Sequence, residues 1–532
     1  MLDLLIKNGT VIDGAGGKGV NVDVGIEKEK ITILEKIGKA ERTGKEKIEA
    51  AETIDAAGKI VCPGFVDILD HSDNFWTLFT IPRLDSKVMD GVTTIIGGNC
   101  GTSISPILSA GSVEAMRKWI DLGNVNVNWD RTIKFFTELE KKSIGLNFGT
   151  LIGHETLRRG LMGDQVRKIT EEEIRMLGRM LAESLEAGAF GMSTGLVFSH
   201  AKAATINEIK FLVEILNAYK SLYASHIRGE SEELLPSINE AMQIGREMNV
   251  SIEISHLKAV GKKYWPDMQR AIEMISIANE EGVDISFDVY PYDTTGSVLY
   301  VFLPDWISCG GRREMISRLK DFDLRKRIIG EMKEMDYDYE NIIVSICPRL
   351  KEAVGRKIMD IAESQGIEPE EAIIELLIGA NGHVIVFNRG ILSEDNIKLA
   401  LQSPHSIISS ADAAYNSEYA RTGELVHPRC FGTFSRVLGK YVREEKVLNL
   451  ESAIEKMTSK PAQKIGLKDR GVLKKGNWAD VVIFNPEKII DKADFANPYQ
   501  YSQGVEYVII NGKTVVKNGW HTGELAGKVL RK

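Results

Sequence analysis

The sequence predicts an α/β protein: a (β/α)8 TIM-like barrel carrying a small β-sandwich domain. Three observations point there. Short apolar strands alternate with helical segments through the middle of the chain. Several of those strands end in Cys, His or Asp. The two termini carry similar Asn-Gly motifs between β-branched runs.

The termini come first. Ile6-Lys7-Asn8-Gly9-Thr10-Val11-Ile12 is matched near the end by Val508-Ile509-Ile510-Asn511-Gly512-Lys513-Thr514-Val515-Val516. Asn and Gly both tolerate positive φ, so each motif reads as a hairpin turn. Ala479-Asp480-Val481-Val482-Ile483-Phe484 adds a buried strand. Neither end has enough apolar strand for its own core, which predicts one composite β domain from 1–60 and 466–532.

Residues 61–465 are predicted to form the barrel. Candidate strands are 61–69, 92–98, 147–153, 189–195, 222–225, 250–255, 284–290, 384–387 and 406–410. The helices between them carry start signals. Thr170-x-x-Glu173 and Thr205-x-x-Glu208 read as capping boxes. Leu177, Leu181 and Leu185 follow the first on one face, and Ile209, Leu212 and Leu216 the second. Repeated β–α units imply a parallel sheet. Nine candidates for eight places leave one strand surplus, and a doubly wound sheet competes on strand count alone. Residues 293–350 break the rhythm with Pro304, Gly310-Gly311 and a charged helical stretch. They read as an inserted lid over the C-terminal face, where barrel enzymes keep their active sites.

Composition excludes several classes. The 532 residues carry a net charge of −8, whereas nucleic-acid binding needs a basic face. Mean hydropathy is −0.12, and no apolar run approaches the roughly 18 residues of a spanning helix, so no membrane partner is expected. The first residues lack the basic segment of a signal peptide. Cys62, Cys100, Cys309, Cys347 and Cys430 show no pairing pattern, which suits a reduced, cytoplasmic chain.

The chemistry lies at the strand ends. The first strand runs into Leu69-Asp70-His71 and the second into Gly98-Asn99-Cys100. Later ones end in Ser225-His226, Ser255-His256 and Ser410-Ala411-Asp412. In a parallel barrel these ends open onto one face. Each residue alone is explained by packing. Together, a Cys, several His and an Asp suit a zinc ion with an open coordination position. His154 is placed at the barrel mouth, and His383, His405 and His521 read as loop or surface residues.

Pro63-Gly64-Phe65-Val66-Asp67, Gly97-Gly98-Asn99-Cys100-Gly101 and Ser225-His226-Ile227-Arg228-Gly229-Glu230 then make a recognisable series. It continues with Ile254-Ser255-His256-Leu257-Lys258, His427-Pro428-Arg429 with Gly432-Thr433-Phe434, and Met457-Thr458-Ser459 with Pro461-Ala462. In this order the motifs resemble the N-acyl-D-amino-acid deacylase (D-aminoacylase) family of the amidohydrolase superfamily, over nearly the whole chain. The resemblance implies a hydrolase that cleaves an N-acyl-D-amino acid, its small-molecule partner, to a carboxylate and a D-amino acid. It implies zinc on Cys100, His226 and His256, with His71 and Asp412 also at the metal. Asp412 would be the general base and acid, and His71 a ligand or hydrogen-bond donor. Lys258, Tyr290 and Arg429 would meet the substrate carboxylate.

Two departures stand out. The family's first strand carries His-x-His, but here Leu69 takes the first position, so one tightly bound ion per chain is expected. Phe198 stands where the family tends to have Tyr. A homo-oligomer is compatible with the sequence. Two rival functions remain: another amide hydrolase of the superfamily, acting on a cyclic ureide or a dipeptide, and a non-catalytic relative.

Overall fold

In the computed structural model, which describes residues 1–35, 49–116, 127–335 and 337–532, eight parallel strands close a barrel. They are Phe65–Asp67, Val92–Gly97, Asn147–Thr150 continued by Ile152–Gly153, Gly191–Gly195, Leu222–His226, Ile252–Ile254, Ile285–Val289 and Ser406–Ile408. Neighbours pair in parallel in chain order. The seam between the first and last strands is sparse. It is made by Ala411 N–H to Leu69 O (3.0 Å), His71 N–H to Asp412 O (3.3 Å) and a parallel bridge between Asp70 and Asp412. Closure decides against the doubly wound sheet. Stretches of the expected segments, 36–48, 117–126 and Asp336, lie outside the described residues.

The first expected strand is two strands. Ile60–Pro63 pairs antiparallel with Val481–Phe484 in the small domain, and Phe65–Asp67 opens the barrel. Gly64 separates them, because a Cβ there would stand 2.2 Å from the Thr93 side chain. Burial is continuous from Ile60 to Asp70, so the apolar run hides the break.

The surplus strand is the one at 384–387. Ile385–Asn388 joins Thr295–Val298 and Ile342–Ile346 in a separate antiparallel sheet. Leu299, Ile307, Leu319, Val344, Leu377 and Val386 pack in its own core. The inserted unit therefore continues past the expected limit at 350. A short apolar run looks the same in a parallel and an antiparallel sheet, which explains the misassignment.

In the small domain, a seven-stranded sheet joins Thr10–Val11 and Ile60–Pro63 to Val481–Phe484, Val505–Ile510 and Lys513–Lys517. A four-stranded sheet holds Leu2–Lys7 and Ala50–Asp55. Leu4, Ile6, Val24, Val61, Val481 and Ile509 pack between the sheets. Asn511-Gly512 turns a hairpin as expected. Asn8-Gly9 does not: the strands on either side of it lie in different sheets. Asn8, at φ 64°, instead swings the chain around a corner.

The two capping boxes also diverge. Thr170 and Glu173 form the reciprocal pair at the start of Glu171–Glu186. Thr205 accepts from Glu208 N–H, but the Glu208 side chain turns to His154 and Arg158.

Candidate active site

Sharp turns at the strand ends aim the functional side chains. Cys100, His256 and Ala411 take φ of 50°, 38° and 51°, a left-handed region that costs a non-glycine residue on the order of 1–3 kcal/mol and concentrates at functional sites. Gly98 must be glycine, since a Cβ would lie 1.9 Å from the Leu151 carbonyl oxygen. Asn99 pins the same loop by donating to Ile68 O (3.2 Å) and Ile96 O (2.8 Å).

Cys100, His226 and His256 converge. Each offers a ligand atom, and the three lie within 4.8 Å of one another. Cys100 Sγ is 3.5 Å from His256 Nε2 and 3.8 Å from His71 Nε2. The His226 and His256 rings meet edge to face at 4.3 Å. Burial, with Lys258 nearby, lowers His256 to about 4. Burial also lowers His71 to about 3, against the pull of Asp412. Both rings are therefore neutral at pH 7. A thiol and two imidazoles are the donor set of a zinc site with an open position. Leu69 is packed among Tyr290, Ile407 and Ala411, where no lone pair is offered.

Asp412 lies just beyond the eighth strand and accepts from Arg429 Nε at 3.0 Å. Burial pushes its carboxyl up, but Arg429, His427 and the Ala413 N–H together hold it below the ordinary range. The Arg429 guanidinium lies over the Tyr290 ring at 4.6 Å. Tyr292 sits instead under Arg436, at 4.7 Å. Lys258 Nζ reaches Glu230 Oε1 (2.5 Å) and His256 Nδ1 (2.8 Å). Phe198 stands edge-on to His226 at 5.5 Å and shares an apolar cluster with Cys100 and Val298, the latter from the inserted unit.

Sequence reasoning passed over several residues here. Glu230 lies inside a quoted motif but was assigned no part. Asn74 Nδ2 is 3.2 Å from His71 Nδ1. Buried Lys87 bonds Asp67 (2.9 Å) and lies 3.4 Å from Asp70, under the barrel seam. Asp288 accepts from His256 N–H (3.0 Å) and from Ser409. Only Asp288 carried a signal, a charged residue within an otherwise apolar strand. His154 does not line the mouth, because it is fully buried on Glu208. His383 lies in a loop, as expected, but is buried there.

The sequence profile of the Amidohydrolase family matches residues 52–303 and 353–516. The unmatched stretch falls inside the inserted unit. The chain is 31% identical over 531 residues to N-acyl-D-glutamate deacylase of Alcaligenes xylosoxydans xylosoxydans, covering all of this chain and 97% of that one. It is 30% identical over 530 residues to D-aminoacylase of the same organism, covering all of this chain and 98% of that one. Among solved structures, N-acyl-D-glutamate deacylase from Bordetella bronchiseptica, complexed with zinc and a phosphonate inhibitor, superimposes with a TM-score of 0.83. It shows 29% identity, with both chains fully covered.

Proposed function

The chain belongs to the amidohydrolase family, and we propose on that premise that it hydrolyses the amide bond of N-acyl-D-amino acids, with zinc at Cys100, His226 and His256. The observation that carries this reading is the convergence of those three ligand atoms close to two cations suited to a carboxylate, Lys258 and Arg429. When bound, zinc supplies Lewis acidity that polarises the amide carbonyl and makes water nucleophilic near neutral pH. Asp412 takes the proton of the attacking water and passes it to the leaving amine. The Nη edge of Arg429, over Tyr290, suits the two oxygens of the substrate carboxylate, while its Nε holds Asp412. The Asn74 amide donates to His71 Nδ1, leaving the ring proton on Nε2. His71 then serves as a donor to charge developing on the amide oxygen, which supports the donor role over the ligand role. With Leu69 inert, one ion per chain is supported.

No described helix is long and apolar enough to cross a membrane. None of the five cysteines is in a disulfide, which supports a cytoplasmic setting. The test is to assay zinc-loaded protein on N-acetyl-D- and N-acetyl-L-amino acids and on a hydantoin. Release of D-amino acids with about one zinc retained per chain after dialysis is expected. Cleavage of the ring substrate alone would overturn the substrate reading, and two retained ions would overturn the single site.

A further inference from the structure

We propose that Glu230 is a positioning residue that ties occupation of the metal site to the hold on the substrate carboxylate. The proposal rests on the zinc-site reading above. A single oxygen, Glu230 Oε1, lies 3.3 Å from His256 Nδ1, 3.5 Å from His226 Nε2 and 2.5 Å from Lys258 Nζ. One carboxylate therefore faces both candidate imidazole ligands and the lysine that meets the substrate.

The loop is built to hold it there. Glu230 O accepts from Val260 N–H at 2.7 Å, and Ser231 Oγ donates to Val260 O at 3.0 Å. These bonds stitch the turn after the fifth strand to the turn after the sixth. Arg228, two residues earlier, is clamped by both oxygens of Glu240 at 2.7 and 3.0 Å.

The proton count on His256 supplies the coupling. To offer its Nε2 lone pair towards Cys100, the neutral ring must carry its proton on Nδ1, where it then donates. Lys258 Nζ is 2.8 Å from that same nitrogen, and an ammonium can only donate. Lys258 and a metal-competent His256 therefore exclude each other at Nδ1. Glu230 is the acceptor within reach that resolves the conflict: it accepts a hydrogen bond from Nδ1–H and leaves Lys258 to turn towards the substrate. Because linkage is reciprocal, a carboxylate that draws Lys258 away favours metal binding in return.

The experiment measures zinc affinity by chelator competition, with no substrate present, in the full chain and in Glu230→Ala and Glu230→Gln. Removing the acceptor is expected to weaken zinc about 10–100-fold in the Ala variant, the usual cost of losing an outer-shell partner. The isosteric Gln variant keeps an acceptor oxygen but no charge, so its loss is smaller, and it guards against a failure of Ala to fold. A second expected result is a rise in KM for N-acyl-amino acids larger than the fall in kcat. Zinc affinity within about twofold of wild type in both variants would overturn the proposal. A protein that binds zinc as expected but cleaves no N-acyl-amino acid would instead count against the substrate reading, so the two failures are distinguishable.

Discussion

Glu208, fully buried, and Glu230, half-buried, are both carboxylates set between imidazole and cation, yet they are built for different ends. Glu208 Oε1 takes Arg158 Nε at 2.7 Å and His154 Nε2 at 2.9 Å, and Oε2 takes Arg158 Nη2 at 3.3 Å. Arg158 also donates to the carbonyls of His200 and Arg167. Both carboxylate oxygens are used, and the network locks His154–Met162 to Ile206–Ala218. Glu230 engages its lysine closely but meets its two imidazoles only at 3.3 and 3.5 Å. The difference separates scaffold from site. A closed network rigidifies, whereas a site keeps slack that a ligand can take up.

The contrast breaks most visibly at Asp412. Asp412→Asn keeps the shape but cannot accept the water's proton, so hydrolysis should fall about 10²–10⁴-fold while zinc content stays at wild type. A rate near wild type would place the base elsewhere.

Glu208→Ala should do the reverse. It strands a fully buried Arg158, and breaking such a pair typically costs roughly 3–5 kcal/mol of stability. Urea unfolding should register that loss, while chelator competition finds zinc affinity unchanged in the folded protein. pH sharpens the point. Burial raises Glu208, but His154 and Arg158 outweigh it and hold the group at about 2. A depressed acid stabilises fully above its unfolded pKa, near 4.5, and loses that contribution as pH falls through about 2. Glu208→Gln should therefore flatten the stability profile across that window. An unchanged acid limb would show that the network does not govern it.

Arg429→Ala should weaken kcat/KM by roughly 2–5 kcal/mol for the N-acyl-D-amino acid, since a charge-assisted contact to the substrate is lost. The matching neutral amide should lose less, though not nothing, because Arg429 also holds Asp412. Equal losses would confine Arg429 to Asp412. The smallest effect belongs to Thr170→Ala, which removes the closed capping box and should cost about 1 kcal/mol with kcat/KM unchanged.

The sequence by itself determined what local repetition can encode. The alternation of short apolar strands with capped helices specified repeated β–α units and hence a parallel sheet, since each period is written within a dozen residues, while closure into a barrel was left to the tertiary structure. The residue types at strand ends pointed to a candidate metal site, because strand ends in a parallel barrel open onto one face, where Cys100, His226 and His256 converge. Tertiary structure alone decided the partners. The same Thr-x-x-Glu motif closed on itself at Glu173 and opened towards Arg158 at Glu208. The same Asn-Gly pair made a hairpin at one terminus and a corner between sheets at the other. Glu230 entered the site only because two turns 30 residues apart are stitched together. Hydrogen bonds and ion pairs act over about 3 Å in space, whatever the distance along the chain, so which carboxylate a buried cation meets is settled only when the chain has folded.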